Sequence, residues 1–579
     1  MINKTTLRRR PIGNVSLLEE ADIPLLLKQL YVQRGINTIS ELELKTRNLL
    51  AYYQINGIKT AVTLLVKAIL NQHNFMIIGD FDVDGVTSTA LTVLSLRQMG
   101  AKNVNFLIPN RFKDGYGLSP AIVEKAAAHH AQLILTVDNG ISSYAGVKLA
   151  REKAIPIIIT DHHLPGTILP DADAIVNPNV HDCTFPSKCL AGVGVAFYLL
   201  LALRAQLNSI GWFVKKGIML PKLAEFLDLV AFGTVADLVP LDSNNRILVH
   251  QGIKRIQAGR CRPGIQALSD IAKIDRTQLC TNDISFSLGP RLNAAGRIDD
   301  MSIGVDLLLT DDLLQAHIFS KKLDVFNKSR REIEQRMKVE AMTLCQNLES
   351  CNQSQMPYGL AMYHDKWHEG VIGILAARIK EYFHRPVIAF ASTQNGLLKG
   401  SGRSISGLHL CNLLEHLNVL YPKLMLNFGG HAMAVGLTLE QKKFNLFQKH
   451  FSELVNDHSN STQFEEVIWS DGELTDKDLT LNTAELLRNA GPWGQSFPNP
   501  LFDGYFQIVN HKIIKKQHLK LILKPLIGGP ILDGIAFNID PSCLPINEFH
   551  IVQLAYQLNV ITFRGQRSLQ LLIQHIWPL

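Results

Sequence analysis

The chain has 579 residues, of which 46% are hydrophobic. That is ample for several packed cores and excludes a disordered chain, and at roughly 100–200 residues per domain it predicts about three to four domains. The formal charge of +7, from 58 basic and 51 acidic residues, permits a nucleic-acid partner without demanding one.

The N-terminus, MINKTTLRRRP, is charged and has no apolar core of the kind a secretory signal carries. The first 50 residues read as a mostly helical appendage. From about residue 51 to 250, short apolar runs alternate with helix-like segments. Phe75–Ile78, Val104–Ile108, Leu133–Val137 and Ile157–Ile159 lack polar alternation. Such runs suit strands buried on both faces of a parallel sheet. The uncharged, apolar stretch from Cys189 to Leu203 is shorter than the ~20 residues a membrane span needs and reads as a core helix. Residues 251–355 form a helical connector. No Gly or Pro interrupts Asp311 to Ser354, and apolar residues recur there at helical spacing, so one long helix, or two in series, joins two domains. A second, smaller α/β pattern follows at 356–457. Residues 464–579 turn strand-rich (His518–Leu523, Ile531–Ile539, Ile551–Val560, Leu569–Ile576), which predicts a small β-barrel or sandwich. The eight cysteines include no CxxC pair; Cys183/Cys189 and Cys345/Cys351, six apart, fit no common zinc spacing. Reduced thiols and the lack of a signal predict a cytoplasmic protein with no membrane attachment.

The positions of the acids are the most informative feature. The first strand runs into Asp80-Phe81-Asp82-Val83-Asp84-Gly85, the third into Asp138-Asn139-Gly140, and the fourth into Asp161-His162-His163. Asp237 follows Gly233-Thr234-Val235-Ala236. Open parallel sheets bind ligands beyond the carboxyl ends of their strands, so these groups would share one crevice. Carboxylates crowded together repel unless a cation neutralises them. Carboxylate with imidazole favours Mn²⁺ or Mg²⁺, and two such ions can activate a water and hold both oxygens of a phosphoester displacement. Taken singly, the features are bland. A strand-end Asp is often a helix N-cap, a His-His pair is often structural, and DxDxDG resembles a calcium loop, although here it lacks the closing Glu. Their recurrence at three successive strand ends is what points to metal chemistry.

The four motifs resemble, in order, those of the DHH phosphoesterase superfamily. The resemblance implies that Asp82 and Asp138 hold one metal and that Asp84, Asp138, His162 and Asp237 hold the other. It also implies that His163 contacts the scissile phosphate, with Asp80 and Asp161 either ligands or their supports. Further segments are similar to the RecJ branch of that superfamily: Ile108–Leu118, Gly289–Arg297, Trp367–Gly373, Lys399–Ser404 and Phe428–Ala432, the last belonging to a DHHA1 substrate domain. Arg111, Arg291, Arg297 and Arg403 lie beside or near glycines. The guanidinium fork grips phosphate oxygens, and glycine lets the backbone come close. The resemblance implies that Arg111, Ser401 and Arg403, with Arg291 or Arg297, bind a 5′-terminal phosphate, and that His431 serves the substrate side. It further implies an OB-like C-terminal domain, in which Lys512, Lys515, Lys516, Lys520, Lys524, Arg564 and Arg567 would track phosphates while Tyr556 and Phe563 stack bases. Trp493 would either pack a domain junction or touch DNA.

The expectation is an α/β, multidomain, metal-dependent 5′→3′ exonuclease on single-stranded DNA, monomeric and acting in recombination and mismatch repair. Its groove would lie between the DHH and DHHA1 domains, and its partners would be a single-strand-binding protein and a recombination helicase. The alternatives are a DHH hydrolase of short oligonucleotides or cyclic dinucleotides, a pyrophosphatase, and a non-catalytic replication scaffold.

Overall fold

The computed structural model describes residues 5–351, 356–393, 396–459, 464–515, 518–537, 550–563 and 565–579. It divides into two compact units: Met1–Arg8 with Val325–Ile468, and Arg9–Asp324 with Trp469–Leu579.

The larger unit holds a five-stranded sheet of β1 (Phe75–Ile78), β2 (Val104–Leu107), β3 (Leu133–Val137), β4 (Ile157–Thr160) and β5 (Ala174–Val176). The order is β2-β1-β3-β4-β5 and every pairing is parallel. All residues of β1, β3 and β4 are buried, whereas the edge strand β2 is partly exposed. That is why the interior strands read as unbroken apolar runs. The chain steps one way from β1 to β2 and the other way to β3, so the sheet reverses direction between β1 and β3. A crevice opens at such a switch point, beyond the carboxyl ends of the strands.

Helices frame that crevice. After α1 (Leu25–Val32) come α2 (Val83–Gln98), which leaves the end of β1, and α3 (Gly192–Ser209), the expected core helix. They are followed by the short α4 (Trp212–Lys216) and by α5 (Leu227–Ala236). Within the stretch from Asp311 to Ser354, one helix, α6 (Leu313–Cys351), forms; residues 352–354 lie outside the described residues.

The smaller unit carries β6 (Leu360–Tyr363), β7 (Val387–Ser392), β8 (Leu397–Arg403), β9 (Asn427–Gly430) and β10 (Ala434–Glu440). Their order is β9-β10-β8-β7-β6; only β6 and β7 run parallel. Helix α7 (Ile372–Phe383) packs on this sheet.

The C-terminal region closes into a five-stranded barrel of β11 (Phe502–Ile514), β12 (His518–Pro525), β13 (Leu532–Phe537), β14 (Ile551–Phe563) and β15 (Gln566–Pro578), in the order β11-β12-β13-β15-β14. Closure leaves no unpaired sheet edge. The last two residues of the expected Ile531–Ile539 strand lie outside the described residues.

The N-terminal 50 residues depart from the expectation of a mostly helical appendage. Apart from α1 they contain a short strand, Thr6–Arg9, and short 3₁₀ turns, and Leu27 and Leu30 of α1 are buried in the same core as the barrel residues Phe506 and Leu523. Helical spacing predicted α1 but could not show what its apolar face would meet. No disulfide joins the described cysteines.

Candidate metal and phosphate site

The end of β1 sets the first acids. Asp82 is the N-cap of α2, its Oδ1 accepting the Gly85 N–H at 3.1 Å. A Cβ on Gly85 would fall 2.5 Å from the Asp80 backbone, so only glycine lets the turn close. Asp84, on the first turn of α2, is 1% exposed. Its two oxygens accept the Gly192 and Val193 N–H groups at 2.6 and 2.9 Å, where the positive end of the α3 dipole favours an anion. A Cβ on Gly192 would lie 2.5 Å from that of Asp138. This contact went unread in the sequence; the signal was the Gly192-Val193-Gly194 run opening a helix with no charge before Arg204.

At the end of β3, Asp138 adopts φ 63°, a left-handed conformation that Asp tolerates better than most residues. Asn139 ties the two strand ends together, donating to the Ile78 and Val137 carbonyls at 2.9 Å each. At the end of β4, Asp161 supports rather than faces the cleft. One oxygen accepts the His162 and His163 N–H groups and sits 2.7 Å from His163 Nδ1; the other accepts the Ile141 N–H. Asn179 and Asn177 fix the carbonyls of His162 and His163 at 2.6 and 2.9 Å, a further pair of supports the sequence did not single out.

These elements bring the expected ligands together. His162 Nε2 lies 3.2 Å from Asp138, 3.5 Å from Asp237 and 4.0 Å from Asp84. Asp237 arrives from the C-cap of α5. Potential ligand atoms of Asp84, His162 and Asp237 lie within 4.8 Å of one another, as do those of Asp80, Asp82 and Asp138, and those of Asp138, His162 and His163. Asp138 thus belongs to two of the groups, and Asp80, not Asp161, stands with the ligand atoms.

Electrostatics mark the cluster as incomplete by itself. Burial, then repulsion from Asp82, pushes Asp80 well above the usual carboxylate range. Burial and Asp84 do the same to Asp138. Burial with the neighbouring Asp237 charge raises Asp84 to about 7, and burial with the Asp82 charge raises Asp237 to about 7. Burial lowers His162. Burial opposes charge on His163 too, but the Asp161 hydrogen bond and charge prevail and raise it to about 9. Asp161 feels burial most, yet the His163 bond and both imidazoles hold it low. Among the clustered ligand atoms, Asp80 Oδ1, Asp138 Oδ1, His162 Nε2 and Asp237 Oδ2 are buried without a hydrogen-bond partner. Buried polar atoms are ordinarily satisfied. Oxygen and imidazole acceptors that lack donors and face one another fit hard divalent cations.

Next to the cluster, the Arg111 guanidinium lies over the Phe81 ring at 4.1 Å, and Tyr116 Oη is 3.5 Å from His163 Nε2. The Gly289–Arg297 segment packs on the same loop: Asn293 Oδ1 accepts the Val83 N–H at 3.0 Å, and a Cβ on Gly296 would strike the Phe81 carbonyl. Arg291 is bound to Asp324 at 3.0 Å and to the Ser287 carbonyl and hydroxyl, while Arg297 stands half-buried at the end of the segment.

In the smaller unit, Arg403 donates to Ser401 Oγ at 3.3 Å. A Cβ on Gly373, in the first turn of α7, would lie 2.9 Å from Ser401 Oγ and 3.1 Å from Arg403 Nη2, so hydroxyl, guanidinium and helix N-terminus share one spot. His431 is exposed on the β9–β10 hairpin, its N–H donating to the Ala434 carbonyl.

One aromatic expectation needs correction, and one left open between two alternatives is decided. Tyr556 is 1% exposed and packs against Phe502 and Phe506, so it fills the barrel core and cannot stack on a base. Trp493 is 4% exposed, stacks on Phe497 and donates to the Leu487 carbonyl; it packs a junction. Strand aromatics gain most from burial, and period alone does not say which face a barrel turns inward. Lys512, Lys515 and Lys524 are exposed, Lys520 pairs with Asp533, and Arg567 with Glu485. Lys516, Arg564 and the side chain of Phe563 lie outside the described residues.

Comparison with known proteins matches residues 74–234 to the DHH family N-terminal domain, 356–457 to the DHHA1 domain and 470–575 to the RecJ OB domain. Among curated relatives, the single-stranded-DNA-specific exonuclease RecJ of Dickeya dadantii is 57% identical over 99% of both chains. That of Escherichia coli strain K12 is 55% identical over the whole of both. Among solved structures, RecJ in complex with Mn²⁺ from Thermus thermophilus superposes with a TM-score of 0.81 at 25% identity, covering all of this chain and 80% of that one. An exonuclease RecJ bound to manganese gives 0.58 at 30% identity, covering 72% and 98%. With three domain families in the same order and identity above one half from end to end, this chain belongs to the RecJ family of single-stranded-DNA-specific exonucleases.

Proposed function

We propose that this protein is a metal-dependent exonuclease that degrades single-stranded DNA from its 5′ end to mononucleotides, in recombination and mismatch repair. The observation that carries the reading is the set of buried, donor-less ligand atoms on Asp80, Asp138, His162 and Asp237.

Asp82 and Asp138, with Asp80 beside them, would hold one divalent cation; Asp84, Asp138, His162 and Asp237 would hold the other. Mn²⁺ or Mg²⁺ bound there supplies Lewis-acid stabilisation of phosphoryl oxygens and a water acidic enough to act as nucleophile. The chain's own groups do the rest. Asp161 holds the His163 imidazole through Nδ1, leaving Nε2 turned toward Tyr116 and the cleft, where a protonated ring donates to a scissile phosphate. The α3 N-terminus holds Asp84 in place. Arg111, braced on Phe81, Arg297, and the Ser401–Arg403 pair bind the 5′-terminal phosphate, which sets polarity. Arg291, engaged by Asp324, positions its segment. His431 serves the substrate side. We assign the protein to the cytoplasm as a monomer, with a single-strand-binding protein and a recombination helicase as partners. Among the described residues no helix is long and apolar enough to cross a membrane.

The test is a 5′-phosphorylated single strand labelled at either end, digested with Mn²⁺ by wild type and by Asp138→Ala. Release of label from the 5′ end by wild type alone is expected. Loss from the 3′ end overturns the polarity, and an active variant overturns the site.

A further inference from the structure

The larger unit has a cavity of about 540 Å³. It lies where the helix Ser243–Gln257, the segment Thr277–Asp283, the helix Leu481–Asn489 and the barrel strands β14 and β15 meet. No residue of the metal cluster or of the Gly289–Arg297 segment lines it. The volume suits one small organic molecule. One wall is fixed by hydrogen bonds within the chain. Thr281 Oγ1 donates to the Trp493 carbonyl at 2.6 Å, and Trp493 Nε1 donates to the Leu487 carbonyl at 2.8 Å.

The charged groups around this space divide into spent and unspent. Glu485 is paired with Arg567, and Asp283 accepts the Cys280 N–H at 2.9 Å. Lys254 and Arg488 form no ion pair among the described residues; Arg488 donates to the Gln278 carbonyl. The two cations left over favour an anion. His250, one helical turn before Lys254, adds no charge, because burial and then the Lys254 charge lower it to about 4. Amides make up much of the remaining wall. Gln257 donates through Nε2 to the Leu279 carbonyl at 2.9 Å, and Asn499 through Nδ2 to Asn282 Oδ1 at 3.1 Å. These bonds set which end of each amide is spent. Acceptor oxygens are left on Gln257 and Asn499, and donor capacity on Asn282. Gln557, on β14, makes no side-chain hydrogen bond among the described residues.

We propose that this cavity binds a free nucleoside 5′-monophosphate, its phosphate on Lys254 and Arg488 and its base edge on the amides. Ammonium and guanidinium groups hold phosphate oxygens, and Asn and Gln side chains match the mixed donor and acceptor edge of a base. A simple anion would leave the amides unused, and a nucleoside without phosphate would leave the two cations unmatched. Thr281 to Asp283 run straight into the residues that lead to Arg291 and Arg297, so a nucleotide held here braces the stretch behind that segment. That the occupant is a product of this protein's own reaction rests on the nuclease reading; the chemistry of the cavity does not.

The test uses the full chain carrying Asp138→Ala and Arg403→Ala, in chelator, so that neither the metal cluster nor the Ser401–Arg403 pair holds the nucleotide. Equilibrium dialysis with radiolabelled dAMP should show one saturable site. Adding Lys254→Glu should weaken binding by about tenfold or more, the scale of losing a charge-assisted hydrogen bond. Gln557→Ala should weaken it by a smaller factor, and both should keep the parent's thermal midpoint. Photolabelling with 8-azido-dAMP should modify residues 250–257 or 557–560. The proposal is overturned by absent binding, by binding that Lys254→Glu leaves unchanged, or by label mapping to other segments. It is also overturned if inorganic phosphate competes as well as dAMP, which marks a site for any anion. A short single strand that displaces dAMP and binds tighter, with the same sensitivity to Lys254→Glu, would assign the cavity to the strand path instead. Digestion of an end-labelled strand by wild type, run alongside, reports on the nuclease reading alone, so the two failures are told apart.

Discussion

Two sets of buried aspartates in the larger unit have opposite surroundings. Asp471 and Asp503, where the N-terminal segment meets the barrel region, are fully engaged. Asp471 pairs with Arg34 at 2.8 Å and Arg10 at 3.3 Å and accepts the Leu501 N–H. Asp503 pairs with Arg9 at 2.7 Å and accepts from Ser470. Asp80, Asp138 and Asp237 are gathered with no arginine bound between them and with oxygens that no donor reaches. Burial of an acid therefore does not by itself signal chemistry. The partner does: a guanidinium or backbone N–H completes a structural acid, whereas a group left for a cation waits on something the chain does not contain.

The largest effect that sharpens this contrast is at Asp138. Asp138→Ala should cut kcat on single-stranded DNA by about a thousandfold or more, since several kcal/mol of cation-mediated charge stabilisation is lost. It should also remove one of the mutually repelling carboxylates, so thermal unfolding in chelator should show no loss of stability. Arg34→Ala should behave oppositely. Arg34 and Asp471 are each 1% exposed at the side chain, and breaking a buried pair costs about 3–5 kcal/mol, read by denaturant unfolding. If the Asp138 variant instead unfolds first, the contrast fails.

Asp228 is an intermediate case, fully buried yet held only by the Leu229 and Arg262 N–H groups. Burial prevails over those bonds and raises it to about 6. A raised carboxyl stabilises the fold below its unfolded value near 3.8 and loses that contribution as pH climbs through about 6. Wild type should therefore lose about 2 kcal/mol between pH 4 and 7 relative to Asp228→Asn; equal slopes for the two would refute it. Asp161→Asn should give the smallest change. It loosens His163 without removing a ligand atom, so activity should fall by about 10–100-fold while the Mn²⁺ concentration giving half-maximal activity shifts less than in Asp84→Asn.

The architecture was legible in the sequence because burial leaves a local trace. Unbroken apolar runs marked β1, β3 and β4, the Gly- and Pro-free stretch marked α6, and acids at strand ends marked the crevice. Strand β5 was missed, being three residues long. The supports of the site were missed because Gly192, Asn177 and Asn179 act through contacts with residues far along the chain.

By itself, then, the sequence determined the fold class, the three-domain order and the membership of the acidic cluster, since periodicity and strand-end position are properties of neighbouring residues. Only the tertiary structure separated Asp80, turned toward the other acids, from Asp161, spent on His163 and three N–H groups. Only it placed Tyr556 and Trp493 in cores and joined Arg34 to Asp471. Each of those outcomes depends on which groups meet through space, and a hydrogen bond or an ion pair is decided by distance and direction that no local pattern encodes.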